Sequence, residues 1–225
     1  MLRAHPGRLA LEYTRLMMGF LLFRDAPARV AMIGLGGGSL AKYCASRLPD
    51  VEFTAIEMSS EVIALRDAFE IPPDGPRFRV LCDDGADFVR RDGEPLDVLL
   101  VDGFDRGGQP DRLCSAAFYD ACRARLAAHG VLAVNLYSDD VGHDAYVDRI
   151  RDAFAGNVVS VAADGSANVV VFAGRAVSCA PTFRELVDRL RALRASHPVG
   201  LDATVRKILQ GEARRAIRSR ASPMR

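Results

Sequence analysis

A chain of 225 residues, 49% hydrophobic and 26% charged, has the length for one α/β domain with a short extension and enough apolar side chains to bury a core. Thirty basic against 29 acidic residues leave a net charge of +1, which argues against a general nucleic-acid or anionic-membrane binder, whose footprint would be strongly basic. Five cysteines without a C-x-x-C pair and four scattered histidines read as reduced, structural thiols in a cytoplasmic protein with no metal site.

The first apolar run, "LMMGFLLF" over 16–23, follows a basic start and precedes "APA", so it imitates a signal peptide. Its apolar residues fall at helical spacing, however, with Glu12 and Arg15 on the other face, and we read residues 1–27 as a lead helix. No apolar run approaches the ~18 residues that span a bilayer.

Strands then read at "RVAMIGL", "VEFTAIE", "FRVLCDD", "LDVLLVD", "GVLAVNLY", "NVVSVAA" and "ANVVVFAG". Helical patterns alternate with them over 39–47, 60–69, 86–91, 113–128 and 143–154. Several strands are apolar throughout, as expected when helices cover both faces of a parallel sheet. The last two strands are separated only by "ADGSAN", the turn chemistry of an antiparallel edge hairpin. The expectation is a doubly wound α/β domain over 28–175. A helical extension over 176–225 follows, and its basic end, from Gly200 onward, reads as a solvated helix.

Ligands of open parallel sheets bind beyond the carboxyl ends of the strands. Here the first strand ends in Gly34-Leu35-Gly36-Gly37-Gly38, the second in Glu57, the third in Asp83-Asp84-Gly85 and the fourth in Asp102-Gly103-Phe104-Asp105. The fifth ends near Asn135 and Tyr137. Glu57 stands 19 residues after Gly38, close to the spacing of about 20 at which an acid meets ribose hydroxyls. Ser39 occupies the position where a dinucleotide fingerprint would have its third glycine. An acidic row would repel a pyrophosphate, whereas a sulfonium nucleoside such as S-adenosylmethionine brings positive charge and no phosphate. The bare turn then lets the backbone pass close to the ribose.

With the glycine turn, "TAIEMSSEVIALRDAF", "CDDGADFV", "LDVLLVDGFD", "FYDACRARLAAHGVLAVN" and the closing hairpin in order, the sequence resembles the spermidine synthase (polyamine aminopropyltransferase) family. That resemblance implies a seven-stranded, Rossmann-like sheet of the S-adenosylmethionine-dependent methyltransferase type, mostly parallel with a C-terminal antiparallel hairpin. It implies that Gly34, Gly36 and Gly38 form the cofactor turn, that Glu57 binds the ribose, and that Asp84 with Gly85 binds the adenine amine. It makes Asp102 the proton acceptor and Asp105 the holder of the amine substrate, and matches Tyr13 to a substrate-lining tyrosine.

The family pattern is departed from at four points. The amino-terminal β-domain of the true synthases is absent ahead of the first strand, so the chain reads as a short form. Gly37 replaces an aspartate, Arg106 stands where a proline follows the second acid, and the hairpin lacks a tyrosine. Arg106 either pairs with Asp105, faces solvent or binds a carboxylate, and the last would favour full S-adenosylmethionine.

Three functions follow as expectations. The first is aminopropyl transfer from decarboxylated S-adenosylmethionine to a small amine. The alternatives are a methyltransferase using S-adenosylmethionine, or a non-catalytic nucleoside-binding protein. Neither metal, nucleic acid nor membrane is implied, and a homodimer is left open.

Overall fold

A computed structural model describes residues 7–105 and 107–221, with only the backbone of 195–196 and 212–221. Arg106 and the basic side chains beyond Gly211 lie outside the described residues.

Seven strands form one sheet: β1 (Arg29–Ile33), β2 (Glu52–Glu57), β3 (Phe78–Cys82), β4 (Leu96–Val101), β5 (Leu126–Tyr137), β6 (Val158–Ala162) and β7 (Asn168–Gly174). Their order is β3-β2-β1-β4-β5-β7-β6. The first five run parallel, and β7 inserts antiparallel between β5 and β6. This is the expected sheet with its terminal hairpin. The chain reverses its order after β3, crossing over β1 to β4, and that switch places the ends of β1 and β4 side by side.

Helices cover both faces because the central strands are apolar on both. Val98, Leu99, Leu100 and Val101 are all fully buried, alternately facing two separate cores. On one face lie α4 (Gly85–Arg90), α5 (Ala116–Arg125) and α6 (His143–Ala153). On the other lie α1 (Glu12–Met17) with its 3-10 continuation Met18–Leu22, α2 (Ser39–Arg47), α7 (Phe183–Ser196) and α8 (Asp202–Ala221). The run that imitates a signal peptide is thus core, with Leu16 through Leu22 buried. Among the described residues no helix is long and apolar enough to cross a membrane.

Three local readings need correction. The helix expected over 60–69 is only α3 (Ser60–Ala64), which buries no residue. The chain instead turns, with Glu70 left-handed at φ 54°, to drop Ile71 into the core. The helix expected over 113–128 starts later, at Ala116, after Ser115, whose hydroxyl accepts from the Phe118 amide at 3.2 Å as the N-cap. It ends earlier because Leu126, fully buried, pairs with Leu96 in the sheet. Finally, the tail is not solvated over its first turns: Leu201, Val205 and Ile208 are buried, and α8 packs along β6.

Candidate functional site at the carboxyl rim

Backbone hydrogen bonds bring the strand ends together. The Gly34 amide donates to the Ile56 carbonyl at 2.8 Å, the Asp102 amide to the Ile33 carbonyl at 2.9 Å, and the Asp83 amide to the Glu57 carbonyl at 3.0 Å. The glycine turn, Glu57, Asp83-Asp84 and Asp102 therefore share one rim.

Gly34 must be glycine. Its φ is +90°, and a Cβ there would lie 2.3 Å from the Asp102 carbonyl oxygen. Gly36 also has positive φ, +50°, yet a Cβ would meet nothing within 4 Å. The turn is open on that side, which is what a ligand passing close to the backbone needs. Gly38 is the left-handed N-cap of α2. Gly85 opens α4 against Ile33, leaving no room for a side chain.

Glu57 closes the turn from β2. One carboxylate oxygen accepts from the Leu35 amide and the other from the Ser59 amide, each at 2.9 Å. Asp84 caps α4, accepting from the Ala86 and Asp87 amides at 2.7 and 3.1 Å. Its second oxygen pairs with Arg112 at 2.7 Å, and Arg112 also reaches Asp87 at 2.6 Å. Asp83 pairs with Arg91. The acidic row is thus neutralised by arginines along its β3 side.

Asp102 differs. One oxygen accepts from the Asn135 side-chain amide at 2.8 Å and the other from the Tyr13 hydroxyl at 3.3 Å, so its partners among the described residues are neutral. Burial pushes its carboxyl above the ordinary carboxylate range, partly opposed by those two hydrogen bonds. Burial and the adjacent Asp102 charge push the Tyr13 phenol well above its usual value. Asp105, three residues on, is exposed at a loop tip and accepts from its own Gly107 amide at 2.6 Å. The loop is closed by a bridge between Asp105 and Gly108. The two acids thus occupy different settings, one enclosed and one solvated.

Beside Asp102 two amides have their orientation fixed by their partners. Asn135 must turn its NH2 toward Asp102, and buried Gln109 must turn its own toward the Asn135 carbonyl at 3.1 Å. Their side-chain oxygens, Asn135 Oδ1 and Gln109 Oε1, are consequently buried with no hydrogen-bond donor among the described residues. Phe104 packs edge-on to Tyr137 at 5.0 Å beyond them. Buried acceptors facing no donor among the described residues, next to a carboxylate held by neutral partners there, suit an ammonium, which only donates.

Sequence reading reached every rim acid and Tyr13 but passed over Gln109 and Arg112. Asn135 is detectable as the polar member of an apolar strand. Gln109 is one amide in a loop and carries no such signal.

No family model matches the chain. The chain is similar to solved structures of human methyltransferase-like protein 13 in complex with SAH (TM-score 0.73, 20% identity, 82% of this chain and 91% of that one). It is also similar to spermidine synthase in complex with the transition-state analogue AdoDATO (TM-score 0.68, 21% identity, 83% and 66%). These likenesses show the methyltransferase-type fold. A curated relative, the polyamine aminopropyltransferase of Neisseria meningitidis, is 38% identical over 202 residues, covering 88% of this chain and 75% of its own. At that identity and coverage, the chain belongs to the polyamine aminopropyltransferase family.

Proposed function

We propose that the protein transfers an aminopropyl group from decarboxylated S-adenosylmethionine to the nitrogen of a small amine. The observation that carries this reading is Asp102: an enclosed carboxylate, held by neutral donors, beside two amide oxygens that accept from no donor among the described residues.

Alkyl amines titrate near 10.4, so the acceptor arrives as an ammonium with no lone pair. Asp102 attracts it, accepts one proton and frees the nitrogen to attack. Its raised affinity for protons, caused by burial, makes it a stronger base than an exposed aspartate. Tyr13 and Asn135 fix the carboxylate, while Asn135 Oδ1 and Gln109 Oε1 offer acceptors for the remaining N–H groups. The donor supplies a carbon beside its sulfonium: as the C–N bond forms the C–S bond breaks, and the electron pair stays on sulfur in methylthioadenosine. Alignment of the two reactants at the shared rim supplies much of the rate.

In this reading Gly34, Gly36 and Gly38 carry the donor's chain, Glu57 takes the ribose hydroxyls, and Asp84 with Gly85 faces the adenine. Asp84 can receive the adenine amine only by sharing an oxygen with Arg112. In the same reading Asp105, solvated at its loop tip, takes the far ammonium of a diamine. The AdoDATO ligand of the related spermidine synthase supports the choice of donor.

Incubating the protein with decarboxylated S-adenosylmethionine and a panel of mono- and diamines, with methylthioadenosine as readout, tests the proposal. Methylthioadenosine that depends on the amine supports it. S-adenosylhomocysteine from full S-adenosylmethionine, with no methylthioadenosine from any amine, would instead identify a methyltransferase.

A further inference from the structure

Helix α1 carries Tyr13 to Asp102, and its last turn, with Leu16 and Met17, is anchored in the core. It is six residues long and has no side-chain cap at its start. Its first turn, which carries Glu12 and Tyr13, is gripped from the far end of the chain. The Lys207 ammonium, on α8, bonds Glu12 at 2.9 Å, Asp164 in the hairpin turn at 2.9 Å and the Ala162 carbonyl at 2.7 Å. The second Glu12 oxygen accepts from the Asp164 amide. Lys207 and Glu12 are both largely buried, with side chains 17% and 20% exposed, so the pair is shielded from solvent competition. Successive residues on a helix project about 100° apart, so Glu12 faces α8 while Tyr13 faces Asp102. The same clamp continues along the 3-10 segment: Arg189 of α7 donates to the Leu22 carbonyl at 2.9 Å, and Thr204 packs on Gly19.

We propose that Lys207 is a positioning residue for the transfer reaction, gripping Glu12 so that α1 holds the Tyr13 hydroxyl on Asp102. This rests on Asp102 being the proton acceptor. It gives the C-terminal extension a role in catalysis at a distance from the reacting atoms. The ring of three partners also explains why Lys207, one of only two lysines in an arginine-rich chain, is a lysine: a compact ammonium serves three acceptors, which a planar guanidinium does less well.

The test follows tyrosine labelled with 13C at Cζ, the Tyr13 resonance being assigned by its loss in Tyr13→Phe. The titratable groups that face Tyr13 are Asp102 and Tyr137. In Lys207→Met the Tyr13 resonance should move and titrate nearer the ordinary 10.0. The rate constant kcat should fall by roughly tenfold, within the about hundredfold that a 1 Å misplacement can bring, with methylthioadenosine affinity unchanged. Lys207→Arg should recover part of both losses. Asp164→Asn, at a position 83% exposed, removes one arm without threatening the fold and should shift both readouts less, in the same direction. An unmoved Tyr13 resonance in folded Lys207→Met, or a loss of kcat that only follows the unfolded fraction, would overturn the proposal. Absence of transfer in the wild type would refute the functional reading alone, since the Tyr13 resonance still reports on the clamp.

Discussion

Burial holds the Asp102 proton more tightly in the folded protein than in the unfolded chain, where the carboxyl titrates near 3.8. The stability this contributes is fully present below 3.8 and is lost as pH rises through the raised folded value. Asp102→Asn keeps an acceptor for Asn135 and carries no charge at any pH. It should therefore melt at a higher temperature than the wild type at pH 8, and that advantage should vanish at pH values below 3.8. Thermal unfolding at several pH values checks this. Tyr13→Phe acts on the same group from another side. The Tyr13 hydrogen bond opposes the upward shift of Asp102, so its removal should carry the acidic limb of the kcat/KM profile to higher pH. The rate should also drop by about tenfold, the scale of one hydrogen bond to a charged group. At this scale the sequence is informative about identity and silent about setting. Asp83, Asp84 and Asp102 look alike as letters, and only the fold shows two of them facing Arg91 and Arg112 and one facing neutral donors.

Among the elements, the glycine turn separates packing from binding. Gly34→Ala would press a Cβ into the Asp102 carbonyl at φ +90°, and should destabilise the protein by more than about 2 kcal/mol in urea unfolding. Gly36→Ala meets only the left-handed backbone penalty of about 1–2 kcal/mol, because nothing lies within 4 Å. It should fold, and calorimetry should show methylthioadenosine binding at least tenfold weaker, since the methyl group occupies the open side of the turn. Equal binding by Gly36→Ala and wild type would place the donor elsewhere. The strand ends and this turn were legible because apolar runs bounded by glycine and aspartate leave few alternatives. The end of α5 and the shortness of α3 were not. The first depends on Leu126 finding Leu96, 30 residues back, and the second on Ile71 reaching the core, both of which are tertiary effects.

Across the whole molecule, one core joins the two ends of the chain. Leu16, Leu22, Phe172, Leu186, Val205 and Ile208 belong to the same buried cluster, so α1, the hairpin and the C-terminal helices share their packing. Ile208→Ala should lower stability by about 2–5 kcal/mol, with far-ultraviolet circular dichroism and tyrosine fluorescence reporting one common transition. Two separate transitions would show that α8 is an independent layer. The packing of α8 was hidden in the sequence because Leu201 just before it and Val205 and Ile208 within it lie in a stretch whose later half is dense with arginine. The central claim concerns Asp102 as the proton acceptor of an amine, and single-turnover measurement with donor already bound addresses it most directly. Asp102→Asn should bind methylthioadenosine as the wild type does and form product from amine at least about 10²-fold more slowly. Product formation by Asp102→Asn at the wild-type rate would contradict the account.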